Sequence, residues 1–149
     1  MDAQTISMQL LMSLLGCFGF TIVFHVKKRE WLISCLGGVM TWAVYLLVQH
    51  IFQNDFGAAF IGAVAASFYG ELLARPLHAP ATVFTVIAFL PLIPGASLYR
   101  AADTLMNGDL VKGTALSIYA LLFAASMSAG IVITTLLFRK ISGKYKIQS

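Results

Sequence analysis

Five apolar runs, Met8 to Val26, Trp31 to Phe52, Phe56 to Ala74, Ala81 to Leu98 and Gly113 to Phe138, are separated by short polar clusters. Each is close to the roughly 17 to 25 residues that a helix needs to cross a bilayer. The pattern predicts an all-α integral membrane bundle of five transmembrane helices forming a single domain over residues 1–149. The fourth run is interrupted by Pro91-Leu92-Ile93-Pro94-Gly95. Each proline removes a backbone donor and clashes with the preceding turn, so a helix broken there in lipid needs neighbouring helices, water or a ligand to satisfy its polar groups. Counting from Ala81, Pro91 lies about 15 Å deep, near the middle of a roughly 30 Å hydrocarbon core. Secondary transporters use broken helices at this depth to aim free helix N-termini at anionic substrate groups.

Composition agrees with the pattern. The chain is 59% hydrophobic and 11% charged, with a mean hydropathy of +0.85, values that a water-soluble domain of this size hardly tolerates. The five runs leave no room among these residues for a soluble catalytic or binding domain. Met1 to Gln9 carries Asp2 and no basic residue, so the first run is read as a membrane helix and not as a signal peptide. The net charge of +4 reflects topology, with no nucleic-acid partner expected. Lys27, Lys28, Arg29, Arg75, Arg139, Lys140, Lys144 and Lys146 fall on one side of the membrane, and only Arg100 and Lys112 on the other. The excess of positive charge predicts an outside N-terminus and a cytoplasmic C-terminus in the inner (cytoplasmic) membrane, with the basic tail also touching anionic lipid.

Candidate chemistry is sparse. Glu71 lies in the cytoplasmic third of the third run, roughly 22 Å inward from Phe56. An ionisable residue at such depth is a candidate for proton coupling, and the competing reading is an intrahelical pair with Arg75, four residues on. Pro76 is expected to stop that helix, and the turn through His78 to lead into the next, with Pro80 at its first turn. Beyond the break, Ala96 to Asn107 reads as an amphipathic half-helix whose first amides, with Ser97 and Arg100, suit a carboxylate. The alternative is that Arg100 pairs with Asp103 and anchors the helix at the interface. Asn107-Gly108-Asp109 then forms a turn that favours glycine.

Ala58, Gly62, Ala66 and Gly70 make a small-residue face on the third helix, and Ala120, Ala124 and Ser128, with a second stripe at Ser126 and Gly130, do so on the fifth. Such faces let helices approach closely, either within the chain or against a partner. Cys17 and Cys35 read as small buried hydrophobes. Trp31, Phe52 and Phe56 read as interfacial anchors, and His25, His50 and His78 as residues at helix or loop edges. No phosphate loop, paired metal ligands or nucleophile with its base is present, so no metal, cofactor or enzyme activity is expected. Glu71 with His78 is the nearest approach to a catalytic cluster, and it lacks a nucleophile.

The runs Glu71-Leu72-Leu73-Ala74-Arg75, Ala79-Pro80-Ala81, Pro91 to Arg100 and Asn107-Gly108-Asp109 resemble the C-terminal membrane half of the ThrE-type threonine/serine exporter family. Elsewhere the similarity is one of general hydropathy. Some members of that family are single long chains and others are split into a larger subunit and a small, YjjB-like one, which this chain is similar to. The resemblance implies export of threonine- or serine-type amino acids, or in some split members a dicarboxylate such as succinate, driven by the proton gradient. It also implies a larger partner subunit. On that reading Pro91, Pro94, Gly95, Ser97 and Arg100 bind the carboxylate-bearing substrate and Glu71 couples to protons. A homo-oligomer, a structural subunit that does not transport, and a small lipid-modifying enzyme are the rival readings.

Overall fold

The structure is a computed structural model that describes residues 3–77 and 80–145, with backbone alone at residues 3, 75 and 141–145. Expectations on His78 and Lys146 fall outside the described residues, and the Glu71–Arg75 and Lys144 side-chain readings fall where only backbone is described. The described residues form six α-helices: α1 (Ala3–Val23), α2 (Trp31–Phe52), α3 (Asp55–Leu77), α4 (Ala81–Phe89), α5 (Gly95–Met106) and α6 (Leu110–Tyr145). No strand occurs among the described residues. Four of these helices are long and apolar enough to cross a membrane; the count becomes five when α4 and α5, bent by 53° at the break, are one interrupted span.

Several helix ends differ from the sequence expectation for local reasons. The first helix starts five residues before Met8 and stops at Val23, because His25 takes a left-handed φ of 52° and the chain enters a short 3-10 turn at Lys28–Glu30. The Trp31 indole N–H donates to the Val26 carbonyl at 2.7 Å, closing this connection. Pro76 does not stop α3, which continues through it to Leu77. A proline in the last turn removes only one backbone bond there, so the helix tolerates it. The α2–α3 turn is tight: Gln53 closes α2 with φ 51°, and the Asn54 carboxamide oxygen accepts the amides of Phe56 and Gly57 at 3.0 and 3.1 Å. This cap satisfies donors that would otherwise be orphaned at the helix start. Gly108, at φ 86°, makes the expected turn between α5 and α6, and Asp109 Oδ1 caps α6 through the Lys112 amide at 3.0 Å.

Small residues decide how the helices pack. α3 is the hub, lying against α2, α4 and α6, and its small residues serve two faces. Gly70 touches the Thr85 hydroxyl and backbone, while Gly62 meets Leu92 at 3.1 Å from the place a Cβ would take. Ala59 and Ala63, fully buried, face Phe123 and Met127 of α6 in the main apolar core. On α6 Gly130 sits against the Phe60 carbonyl at 2.6 Å from a would-be Cβ. Close backbone approach of this kind replaces the hydrophobic effect as the packing force in lipid. The stripe Ala120, Ala124 and Ser128 divides: Ala120 is buried, whereas Ala124 and Ser128 are exposed. α5 packs on α6 alone among the described elements.

α6 has 36 residues, more than a bilayer core requires. Its flanking cations, Lys112 and Arg139, are separated by about 40 Å at 1.5 Å rise per residue, close to the thickness of a bilayer with its headgroups.

Candidate functional site

The break is built by its prolines. α4 ends at Phe89, a 3-10 turn covers Leu90–Leu92, and α5 restarts at Gly95 with Pro94 as its N-cap. Pro91 has no N–H to give the Ile87 carbonyl four residues back, and that carbonyl instead lies 3.5 Å from the Cys17 thiol, which donates to it. Gly38 leaves the notch that admits the Cys17 sulfur. Cys17 is thus more than a small hydrophobe: it serves a backbone group that the break leaves open. The Ile93 amide bonds to Leu90 at 3.1 Å and the Gly95 amide to Ile93 at 2.7 Å.

Two amides remain at the start of α5. Leu98 N–H reaches the Pro94 carbonyl at 3.0 Å, but the N–H groups of Ala96 and Ser97 have neither a backbone partner nor a side-chain cap among the described residues. They stand at the positive end of the α5 dipole. Both residues line a recess of about 190 Å³ formed by Pro91 to Ser97, by Trp42 and Tyr45 of α2, and by Tyr119 and Phe123 of α6. This is smaller than the roughly 300 to 1,000 Å³ of drug-sized pockets and suits a small metabolite.

Four of the lining residues are aromatic. Trp42 and Tyr45 stack at 5.0 Å between ring centroids, and Phe123 lies 6.1 Å from Tyr45 and 6.2 Å from Tyr119. The buried Trp42 indole N–H has no hydrogen-bond partner among the described residues. Behind Tyr119 is a carboxylate: the Tyr119 hydroxyl donates to Asp55 Oδ2 at 2.7 Å, and the Gln49 amide to Asp55 Oδ1 at 3.2 Å. Asp55 is half-buried at the start of α3, where the helix dipole favours negative charge. On the other side of Trp42 and Pro91, a second recess of about 450 Å³ is bounded by Met8, Gln9, Met12 and Ser13 of α1. The residues lining the recess thus include both Ala96 and Ser97, whose amides are uncapped, and aromatic side chains of α2 and α6.

Pro91, Pro94, Gly95 and Ser97, singled out from the sequence, come together here. Arg100 is exposed on α5, one turn beyond Ser97, and does not line the recess. Glu71 is half-buried on α3 next to Gly70, which packs on Thr85; along α3 it is roughly 13 Å from the Gly62–Leu92 contact at the break. Trp42, Tyr45, Asp55 and Tyr119 escape the sequence reading. Asp55 has a local signal, an acid directly after a capping Asn at the head of an apolar helix, but Tyr119 has none: a tyrosine within an apolar run carries no mark of its cross-helix partner.

An all-helical bundle with four membrane-length helices and a bent helix pair lining a recess is the architecture of a polytopic membrane protein. The chain belongs to the family described as Threonine/Serine exporter, ThrE, which matches residues 9–137. Over 122 residues it is 30% identical to a threonine/serine exporter of Corynebacterium glutamicum, the match covering 82% of this chain and 25% of that protein. The chain therefore spans about a quarter of that relative's length. No solved structure matches it.

Proposed function

We propose that this chain is a membrane subunit of a proton-coupled secondary exporter of threonine- or serine-type amino acids, acting with a larger membrane subunit. The observation that carries the reading is the pairing of uncapped α5 amides with an aromatic wall across one small recess. The substrate carboxylate takes the Ala96 and Ser97 amides, helped by the Ser97 hydroxyl. Its ammonium lies on the faces of Trp42, Tyr45 and Tyr119, worth about 1 to 2 kcal/mol in a desolvated site. A dicarboxylate such as succinate fits less well, because its second carboxylate would meet ring faces and the Asp55 charge. Pro91 and Pro94 keep the amides free, and Gly95 lets the chain pass close to the ligand. Arg100, at the rim, draws the anionic end of the substrate by charge rather than by contact. Glu71 couples to protons from the cytoplasmic side through movement of α3 against α4, given its distance from the recess.

Membership of an exporter family supports the transport role. Ala124, Ala125, Ser128 and Ala129 leave an exposed small-residue strip on α6, suited to close approach by another helix. The excess of basic residues at one set of helix ends supports a cytoplasmic C-terminus. The test is efflux of serine, threonine and succinate from proteoliposomes under a pH gradient, with the chain alone and with a co-purifying membrane protein. Amino-acid efflux that requires both chains is expected. No efflux from a folded complex would favour a structural subunit, and efflux by the single chain a homo-oligomer.

A further inference from the structure

The connection between α1 and α2 carries three consecutive cations, Lys27, Lys28 and Arg29, all exposed, while the acid beside them, Glu30, is buried. The surface there is therefore positive. Next to it a cavity of about 380 Å³ enters the α1–α2 contact, lined by Leu14, Leu15 and Phe18 of α1 and by Trp31, Leu32 and Cys35 of α2. Among the described residues Lys28 is the single charged member of its lining. Leu15, Phe18 and Leu32 are exposed and Cys35 is buried, so the cavity runs from the flank of the bundle, where lipid lies, into the helix contact. The Trp31 indole N–H is already engaged by the Val26 carbonyl, and its ring meets Phe18 edge-on at 5.4 Å between centroids. That leaves apolar ring surface for the cavity. A tryptophan at a helix end beside basic residues marks the headgroup level of a bilayer. A second cavity between the same helices, of about 310 Å³ and lined in part by Leu10, Leu46 and His50, has no lysine or arginine in its lining.

We propose that the cavity beside Lys28 binds an anionic glycerophospholipid, with the phosphate on Lys28 and part of one acyl chain in the α1–α2 cleft. From Leu14 to Phe18 and from Trp31 to Cys35 the lining covers about one turn of each helix, roughly 6 Å. That length takes a segment of one acyl chain and not a whole lipid. Lys28 lays its methylene stem on apolar surface and keeps its ammonium at the headgroup, as lysines at membrane interfaces do. Lys27 and Arg29 add attraction for a headgroup of net negative charge, which a zwitterionic lipid lacks. In the proposed topology this end faces the cytoplasmic leaflet, whose anionic lipids attract such juxtamembrane cations. α1 packs chiefly on α2, so a lipid that touches both helices braces the contact on which α1 most depends.

Two measurements test this. The chain has two tryptophans, so Trp42→Phe leaves Trp31 as the sole fluorophore, and bromine on an acyl chain quenches it only on contact. In phosphatidylcholine vesicles, dibrominated phosphatidylglycerol should quench Trp31 at a mole fraction at least roughly fivefold lower than dibrominated phosphatidylcholine does. Lys28→Gln should raise that fraction about fivefold, the effect of one cation near the surface. Replacing Arg139 and Lys140 of α6 together by glutamine should change it by less than about twofold. Native mass spectra of the unmodified chain, released from mixed phosphatidylglycerol and phosphatidylcholine micelles, need no tryptophan change. A phosphatidylglycerol adduct is expected there, lost in Lys28→Gln and kept in the Arg139 and Lys140 double variant. Equal quenching by the two brominated lipids, or an adduct that survives Lys28→Gln, overturns the site. Equal losses from the Lys28 and the Arg139–Lys140 variants also overturn it, since they show attraction to a charged surface and no bound lipid.

Discussion

Replacing Ala96 by proline removes one of the two uncapped amides while sparing the fold. Ala96 is in the first turn of α5, after Pro94 and Gly95, where a proline breaks no intrahelical bond and its fixed φ suits the helix. The residue before a proline is normally pushed out of the helical region, but here it is Gly95, which lacks the Cβ that adds to the clash. Nothing lies within 4 Å of a Cβ built on Gly95, so the backbone has room to adjust. The amide that disappears has no protein partner to lose. Thermal unfolding of the purified variant should therefore stay near that of the unmodified chain. A hydrogen bond to a charged group contributes about 1.5 to 3 kcal/mol, so losing one amide from the substrate carboxylate should weaken L-threonine binding by roughly 10- to 100-fold. Ala96→Ser, which keeps the amide, should bind as before. Equilibrium binding with radiolabelled threonine reads the difference. Undiminished affinity in a folded Ala96→Pro protein would refute the assignment of the carboxylate to the α5 N-terminus.

The helix contacts make sharper claims about stability than about transport. Gly130→Ala should destabilise by about 1 to 3 kcal/mol, because its Cβ would meet the Phe60 carbonyl at 2.6 Å and α3 would have to move away. Gly16→Ala, with open space around it, should be neutral or stabilising by up to about 1 kcal/mol; denaturant titration in detergent separates the two. Cys17→Ala should cost about 1 to 3 kcal/mol by orphaning the Ile87 carbonyl, and Cys17→Ser, which restores a donor, should recover part of that loss in the same assay. Glu71→Gln should leave threonine affinity within about twofold yet abolish the response of efflux to a pH gradient, since Glu71 is remote from the recess.

The membrane class, the turn after α5 and the broken helix were legible because each is local. Apolar length sets a span, two prolines in four residues set a break, and Asn107-Gly108-Asp109 sets a turn. The bend of 53° at the break comes from residues that announce it. Helix ends were less legible: Pro76 reads as a stop, yet α3 runs one residue past it to Leu77, because a proline so near the end disturbs only the final turn. The candidate site was half legible. Pro91, Pro94, Gly95 and Ser97 are adjacent in sequence and stay together, whereas the opposite wall comes from α2 and α6. Tyr119 meets Asp55 across 64 residues, and Cys17 meets Ile87 across 70. Spacing along one helix says nothing of such pairs, which helix packing alone creates. The same limit affects Arg100. It is on the expected half-helix, but it is exposed and lies one turn past Ser97, outside the residues that line the recess.

Competition against radiolabelled L-threonine by analogues that lack one charge tests the central claim most directly. L-serine carries both charged groups, L-threoninol lacks the carboxylate, 3-hydroxybutyrate lacks the ammonium, and succinate carries two carboxylates. A recess with amides on one side and aromatic faces on the other should bind L-serine nearly as well as threonine and the remaining three at least roughly tenfold more weakly. Succinate or 3-hydroxybutyrate competing as strongly as serine would contradict it, showing that the ammonium meets no wall of Trp42, Tyr45 and Tyr119.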